Sequence, residues 1–170
     1  MNNIYSTNHD FSGETPAVQT EDFNFKQCAF YDGKLYVSSV YTGSDTLRSN
    51  EKAIMAYPAN GDGSLGAPET VINWTEDFAG SVISGITFDA DGKMYVATQT
   101  RTPVYVIDPV GGTYDGGDIS LLYPVLLDQK IVSMNWESGG YMAYIGEDSE
   151  GTRNIFRLKM LPQPSPSYIP

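Results

Sequence analysis

The sequence predicts an all-β chain of about three four-stranded antiparallel sheets, because its apolar residues fall in short β-rich runs bounded by turn-formers, without helical periodicity. One pattern recurs three times. A strand, a turn rich in Asp or Gly, a tyrosine-bearing strand and, after a polar gap, a third strand occupy residues 29–38 with 53–57, 85–97 with 104–108, and 135–145 with 154–158. The spacing is roughly 50 residues, a period that belongs to propellers and solenoids. Composition agrees: Gly (17), Tyr (12) and Pro (10) are plentiful and only 18% of residues are charged, a balance that disfavours a helical protein.

At 170 residues the chain has the size of one domain. Residues 1–26 are polar and predict an irregular arm over the surface, in which Ile4 and Tyr5 add at most one short strand. The strand-bearing domain spans 27–160, in units at about 27–73, 80–124 and 130–160. In the first unit the polar connection 41–52 is long enough for a functional loop and equally suits an exposed hairpin tip. The turn 60–66 then leads into a fourth strand at 69–72. The second unit reads as strands at 86–88, 93–98 and 104–107, a glycine-rich turn at 111–118, and a strand at 120–123. In the third unit strands fall at 132–136, 141–145 and 155–159, and residues 125–130 hold at most one helical turn. Pro162, Pro164 and Pro166 make 161–170 a Pro-rich extended tail that packs along a surface or links onward.

Aligning the units places Phe30, Phe88 and Trp136 at one site, Leu35, Met94 and Met142 at a second, and Tyr57, Ile107 and Leu158 at a third. Large apolar residues at matching positions are what stacked sheets need in order to bury both faces. Such a stack has two ends. Phe30, Leu35 and Tyr57 on one flank and Trp136, Met142 and Phe156 on the other are expected to need covering, so the chain should not persist as a bare compact monomer.

A net charge of −11 with ten Lys plus Arg leaves no basic groove for nucleic acid, and no apolar run is long enough to span a membrane as a helix. The lone cysteine, Cys28, reads as a small buried hydrophobe at the head of a strand. Residues 1–7 lack the basic flank and apolar run of a secretion signal. An extracellular surface or virion assembly is preferred over the cytoplasm.

The stretch Gly85-Ile86-Thr87-Phe88-Asp89-Ala90-Asp91-Gly92-Lys93-Met94-Tyr95-Val96-Ala97 resembles the inner hairpin of gluconolactonase-like and NHL-repeat β-propellers, and 57–69 resembles their outer hairpin. Residues 93–98 with 104–109 are also similar to the Tyr-Val-Thr-Asn repeats of surface-layer propellers. The resemblance covers about residues 27–160 and implies propeller blades, of which a closed ring typically takes four to eight. Three blades imply a partial propeller: half of a six-bladed ring closed by a second copy, a ring completed by a protein partner, or a piece of a longer chain.

The lactonases of that group hold a divalent cation at the start of several inner strands. The corresponding positions here are Lys26, Ser84 and Val132, none of them a hard-oxygen carboxylate ligand, and Asn135 is expected at a sheet interface. Asp89-Ala90-Asp91-Gly92 and Asn60-Gly61-Asp62-Gly63 open like calcium loops but lack the closing Glu, so hairpin turns are the expectation. Ca²⁺ is the one cofactor these residues raise, and neither a catalytic, a cofactor-binding nor a metal residue is assigned. His9 is the only histidine, which leaves no triad. Glu147-Asp148-Ser149-Glu150 reads as a solvated tip, and Asn73-Trp74-Thr75 as a chance glycosylation match. Tyrosines are numerous enough that some should be exposed at rims, most capping sheet faces. The expected function is that of a non-catalytic binding or structural module in a larger assembly. The alternative is a metal-dependent lactonase- or esterase-like hydrolase assembled across chains.

Overall fold

The structure, a computed structural model, describes residues 2–6, 15–20, 22–45, 51–74, 81–100, 104–122, 129–137 and 140–160. Among them the chain is all-β. The first sheet is β3 (Phe23–Tyr31), β4 (Lys34–Tyr41), β5 (Lys52–Pro58) and β6 (Glu69–Asn73), following a ribbon of β1 (Asn2–Ser6) and β2 (Thr15–Thr20). The second is β7 (Ile83–Phe88), β8 (Met94–Thr98), β9 (Val104–Val110) and β10 (Thr113–Leu121); the third is β11 (Lys130–Glu137), β12 (Tyr141–Glu147) and β13 (Arg153–Lys159). Each sheet is antiparallel with its strands in chain order, and β7 packs against both β3 and β11.

Two expectations change. The arm holds an antiparallel ribbon, Ile4 opposite Val18, where an irregular segment was expected; β1 and β2 are too polar and too short to announce themselves by alternation. Gly111 and Gly112, at φ 61° and 83°, form the turn and β10 starts at Thr113, earlier than expected, although its pairing with β9 is interrupted between Thr113 and Asp118. The third sheet has three strands among the described residues, matching the three read for that unit. The connection 46–50, the helical turn at 125–128 and the tail 161–170 lie outside the described residues.

The aligned positions form the same cross-strand row in every sheet. Phe30 is opposite Leu35 and Leu35 opposite Tyr57; Phe88, Met94 and Ile107 line up likewise, as do Trp136, Met142 and Leu158. Their surroundings give the stack a direction. Phe88, Met94 and Ile107 pack with Ala29, Tyr36, Ile54 and Ala56 of the first sheet, and Trp136 and Met142 pack with Tyr95, Ala97 and Val106 of the second. The row thus faces the preceding sheet. In the first sheet it faces away from the other two, beside Val37, Ala53 and Met55.

That direction corrects the predicted flanks. Trp136 and Met142 are buried against the second sheet rather than presented at the end of the stack, and Phe156 packs on the same cluster. Tyr57 is buried too, leaving Phe30, 42% exposed, as the wet member of its row. Cys28 is exposed where burial was expected, although Val37 opposite it on the same face is buried.

Gly85 marks how closely β7 and β11 approach. A Cβ there would lie 3.2 Å from the Met134 Cβ and 3.3 Å from the Met134 backbone nitrogen. Backbone cannot step aside as a side-chain end can, so Gly85→Ala is expected to cost about 1–3 kcal/mol by overpacking. The measurement is the urea midpoint, and an unchanged midpoint would contradict the tight seam.

Candidate functional site

Each first strand carries a bulge at the same place. The register of β3 slips between Phe25 and Gln27, that of β7 between Ile83 and Gly85, and that of β11 between Ile131 and Ser133. The extra residues are Lys26, Ser84 and Val132, the three positions aligned at the start of the inner strands. A bulge re-aims the side chain it inserts, which is why such residues often serve sites. Here the three are chemically unlike: Lys26 is exposed, Val132 half-buried, and Ser84 is 3% exposed with its Oγ in no hydrogen bond. An ammonium, a hydroxyl and an isopropyl group do not make a cation cage. Among the described residues no cluster of three His, Cys, Asp or Glu side chains could hold a metal ion. Asn135 is exposed on the outer face of the third sheet, and its Oδ1 accepts the Trp136 N–H at 2.9 Å, so it is not at a sheet interface.

The acidic turns use their carboxylates locally. Asp89 is fully buried: its Oδ1 accepts the N–H groups of Asp91 (3.0 Å) and Lys93 (2.9 Å), and its Oδ2 the Tyr95 hydroxyl (3.0 Å). Asp62 Oδ1 accepts the Ser64 N–H and hydroxyl, and Asp148 Oδ1 the N–H groups of Glu150 and Thr152. These carboxylates hold hairpins shut, a role short-range turn chemistry favours.

At the same end of the stack as the bulges, a polar hollow of about 310 Å³ opens between the second and third sheets, lined by Gln99, Thr100, Gln129, Lys130, Glu147, Asp148 and Ser149. Glu147 Oε2 is held by Arg153 Nε at 2.7 Å. The hollow offers amides, hydroxyls, an ammonium and two carboxylates, Glu147 held by Arg153 and Asp148 by its own turn, groups that suit a polar solute. Sequence reasoning missed it, since its residues come from three separate strand ends of no shared motif.

Between the first two sheets, Phe88 is stacked on Tyr31 (4.7 Å, 16°) and lies against Tyr36 (4.7 Å) and Tyr114 (5.9 Å), while the Tyr114 hydroxyl donates to the Gly92 carbonyl at 2.6 Å. Every tyrosine whose side chain is described is buried or half-buried, so these rings cap sheet faces rather than decorate rims. Burial first, then the Glu69 carboxylate, pushes Tyr36 up to about 12, and burial also raises Tyr95 and Tyr114, Tyr95 with help from Asp89. A phenol whose folded pKa exceeds its unfolded value of about 10 lends stability that is complete below about pH 10 and disappears as pH rises past the folded value. Alkaline titration should therefore show cooperative unfolding coincident with release of the Tyr36, Tyr95 and Tyr114 phenolates in ultraviolet absorbance. Their ionisation as independent groups near the ordinary value, with the fold intact, would contradict the packing.

His9 and Thr75 lie outside the described residues; Asn73 ends β6 beside Trp74, which is fully buried and donates its indole N–H to Ser81 Oγ at 3.0 Å. That strand position is unsuited to a glycan. No helix among the described residues is long and apolar enough to cross a membrane. The chain matches no protein-family model, and no curated protein matches it significantly.

Proposed function

We propose that the three sheets are blades of a partial propeller and that the chain works by contact, as a binding or structural module inside a larger assembly. One observation carries this reading: the row that meets a preceding four-stranded sheet in the second and third units is repeated in the first, where only the two-stranded ribbon of β1 and β2 precedes it and touches β3. Exposed Phe30 and Cys28 stand at its margin. A surface with the chemistry of an inter-blade seam suits one more layer of protein.

The opposite end is finished differently. Where the second sheet has Val106 and Val104 facing onward, the third has Arg157 and Ile155, with Arg157 Nη2 paired to Glu137 Oε2 at 2.7 Å. Burying that charged face beneath a second copy's apolar row would cost desolvation that one exposed pair does not repay. The partner thus belongs at the first sheet, and a different protein is favoured over a two-copy ring. Sedimentation equilibrium at micromolar concentration, with a dye that reports exposed apolar surface, tests the proposal. The expected result is either dye binding by a monomer near 18.6 kDa or association. A folded monomer that binds no dye overturns it, and lactone or ester turnover dependent on added divalent metal would replace it with the hydrolase.

A further inference from the structure

We infer that the outer edge of β13 is a docking site for an extended acidic strand of another polypeptide, a second contact that rests on the module reading above. The first and second sheets each have a fourth strand beyond their third, β6 on β5 and β10 on β9, whereas β13 pairs only with β12 among the described residues. A strand fits in that place in the two sister sheets, and an edge so left presents a row of backbone N–H and C=O groups able to take one up.

The side chains say which strand. Arg153, Arg157 and Lys159 are three of the chain's ten Lys and Arg residues, gathered on a seven-residue strand that itself contains no Asp or Glu, in a protein whose net charge is −11. With them, on the same face, stands Ile155, 77% exposed. Arg153 and Arg157 touch Glu147 and Glu137, yet their side chains remain 62% and 56% exposed, and Arg157 and Lys159 both lie over the Tyr141 ring, at 4.4 and 5.8 Å. The face is therefore a cationic row with one apolar gap.

Basic side chains commonly protect an edge from pairing, and here they do so selectively. Antiparallel self-pairing centred on Phe156 would set Arg153 against Lys159 of the second copy, like charge on like. A strand with carboxylates opposite Arg153, Arg157 and Lys159 and an apolar residue opposite Ile155 meets the reverse situation. The same residues that refuse a second β13 favour an acidic partner, the two halves of specificity. In antiparallel order that pattern is met by the peptide acetyl-Glu-Val-Glu-Val-Val-Thr-Glu-amide.

The test uses the full chain, backbone amide exchange by NMR, and this peptide beside a control in which each Glu is Lys. Expected are rapid exchange of the outward β13 amides in the free protein, their protection by the acidic peptide alone, and binding that weakens with added salt. Lys159→Glu and Arg157→Glu should each weaken it by about tenfold or more without altering the fold, as loss of a facing charge pair predicts. β13 amides protected before peptide is added would mean that the edge is already filled and overturn the inference. Equal affinity for both peptides, or protection mapping elsewhere, overturns it as well. Failure here leaves dye binding at the first sheet untouched, so the two proposals fall separately.

Discussion

Phe88→Ala is expected to remove about 3–5 kcal/mol of stability, the range for deleting a buried aromatic ring. The side chain is 2% exposed and sits among Tyr31, Tyr36 and Tyr114, so its loss leaves a cavity walled by rings anchored on two different sheets. Those rings cannot all collapse inward without parting the sheets. Against a total margin of about 5–15 kcal/mol, that is about a third or more of the stability of a domain in the lower half of the range. The matched control is Phe30→Ala. Phe30 occupies the same row but is 42% exposed, so its removal should cost no more than about 1 kcal/mol in the isolated chain. Urea unfolding followed by tryptophan fluorescence gives both numbers. Equal losses would show that the row does not have the one-sided direction described.

Asp89→Ala is the second severe change. Two turn amides and the Tyr95 hydroxyl lose their acceptor at once, at a fully buried position. Each orphaned buried donor costs about 1–3 kcal/mol, and a sum near 3–5 is expected after some rewetting of the turn. Asp89→Asn should recover most of this. Its carbonyl can keep the two N–H bonds, and its amide can donate to the Tyr95 oxygen, since a hydroxyl also accepts. A thermal melt of the three proteins should rank wild type, Asn and Ala in that order, Asn close to wild type. If Asn were as damaging as Ala, the charge rather than the hydrogen-bond geometry would be what the turn needs.

The rows through Phe30, Phe88 and Trp136 were legible in the sequence because strand alternation fixes which residues share a face. The shared offset of Lys26, Ser84 and Val132 was legible as an alignment, although not as a bulge, since an inserted residue leaves no compositional trace. What alternation cannot tell is which neighbour a face meets. Alternation alone puts Trp136 on an open flank, which the direction of stacking reverses. The ribbon of β1 and β2 was missed because pairing of short polar strands depends on what they lie against. The polar hollow was invisible for a different reason: its lining is contributed by residues between 99 and 149 that only the stacking brings together.

The consecutive order of strands within every sheet has a bearing on how the chain is made. Because β3 to β6 come from residues 23–73 without interruption, that sheet can close as soon as its own residues have left the ribosome, before the later strands exist. The second sheet then condenses on a surface already formed, and the third on the second, each step joining partners close in sequence. Synthesis from the N-terminus thus runs in the direction of stacking. The side of the first sheet that bears Ala29, Tyr36, Ile54 and Ala56 is meanwhile bare until the second sheet forms on it, so the nascent chain shows an apolar surface that the finished one buries.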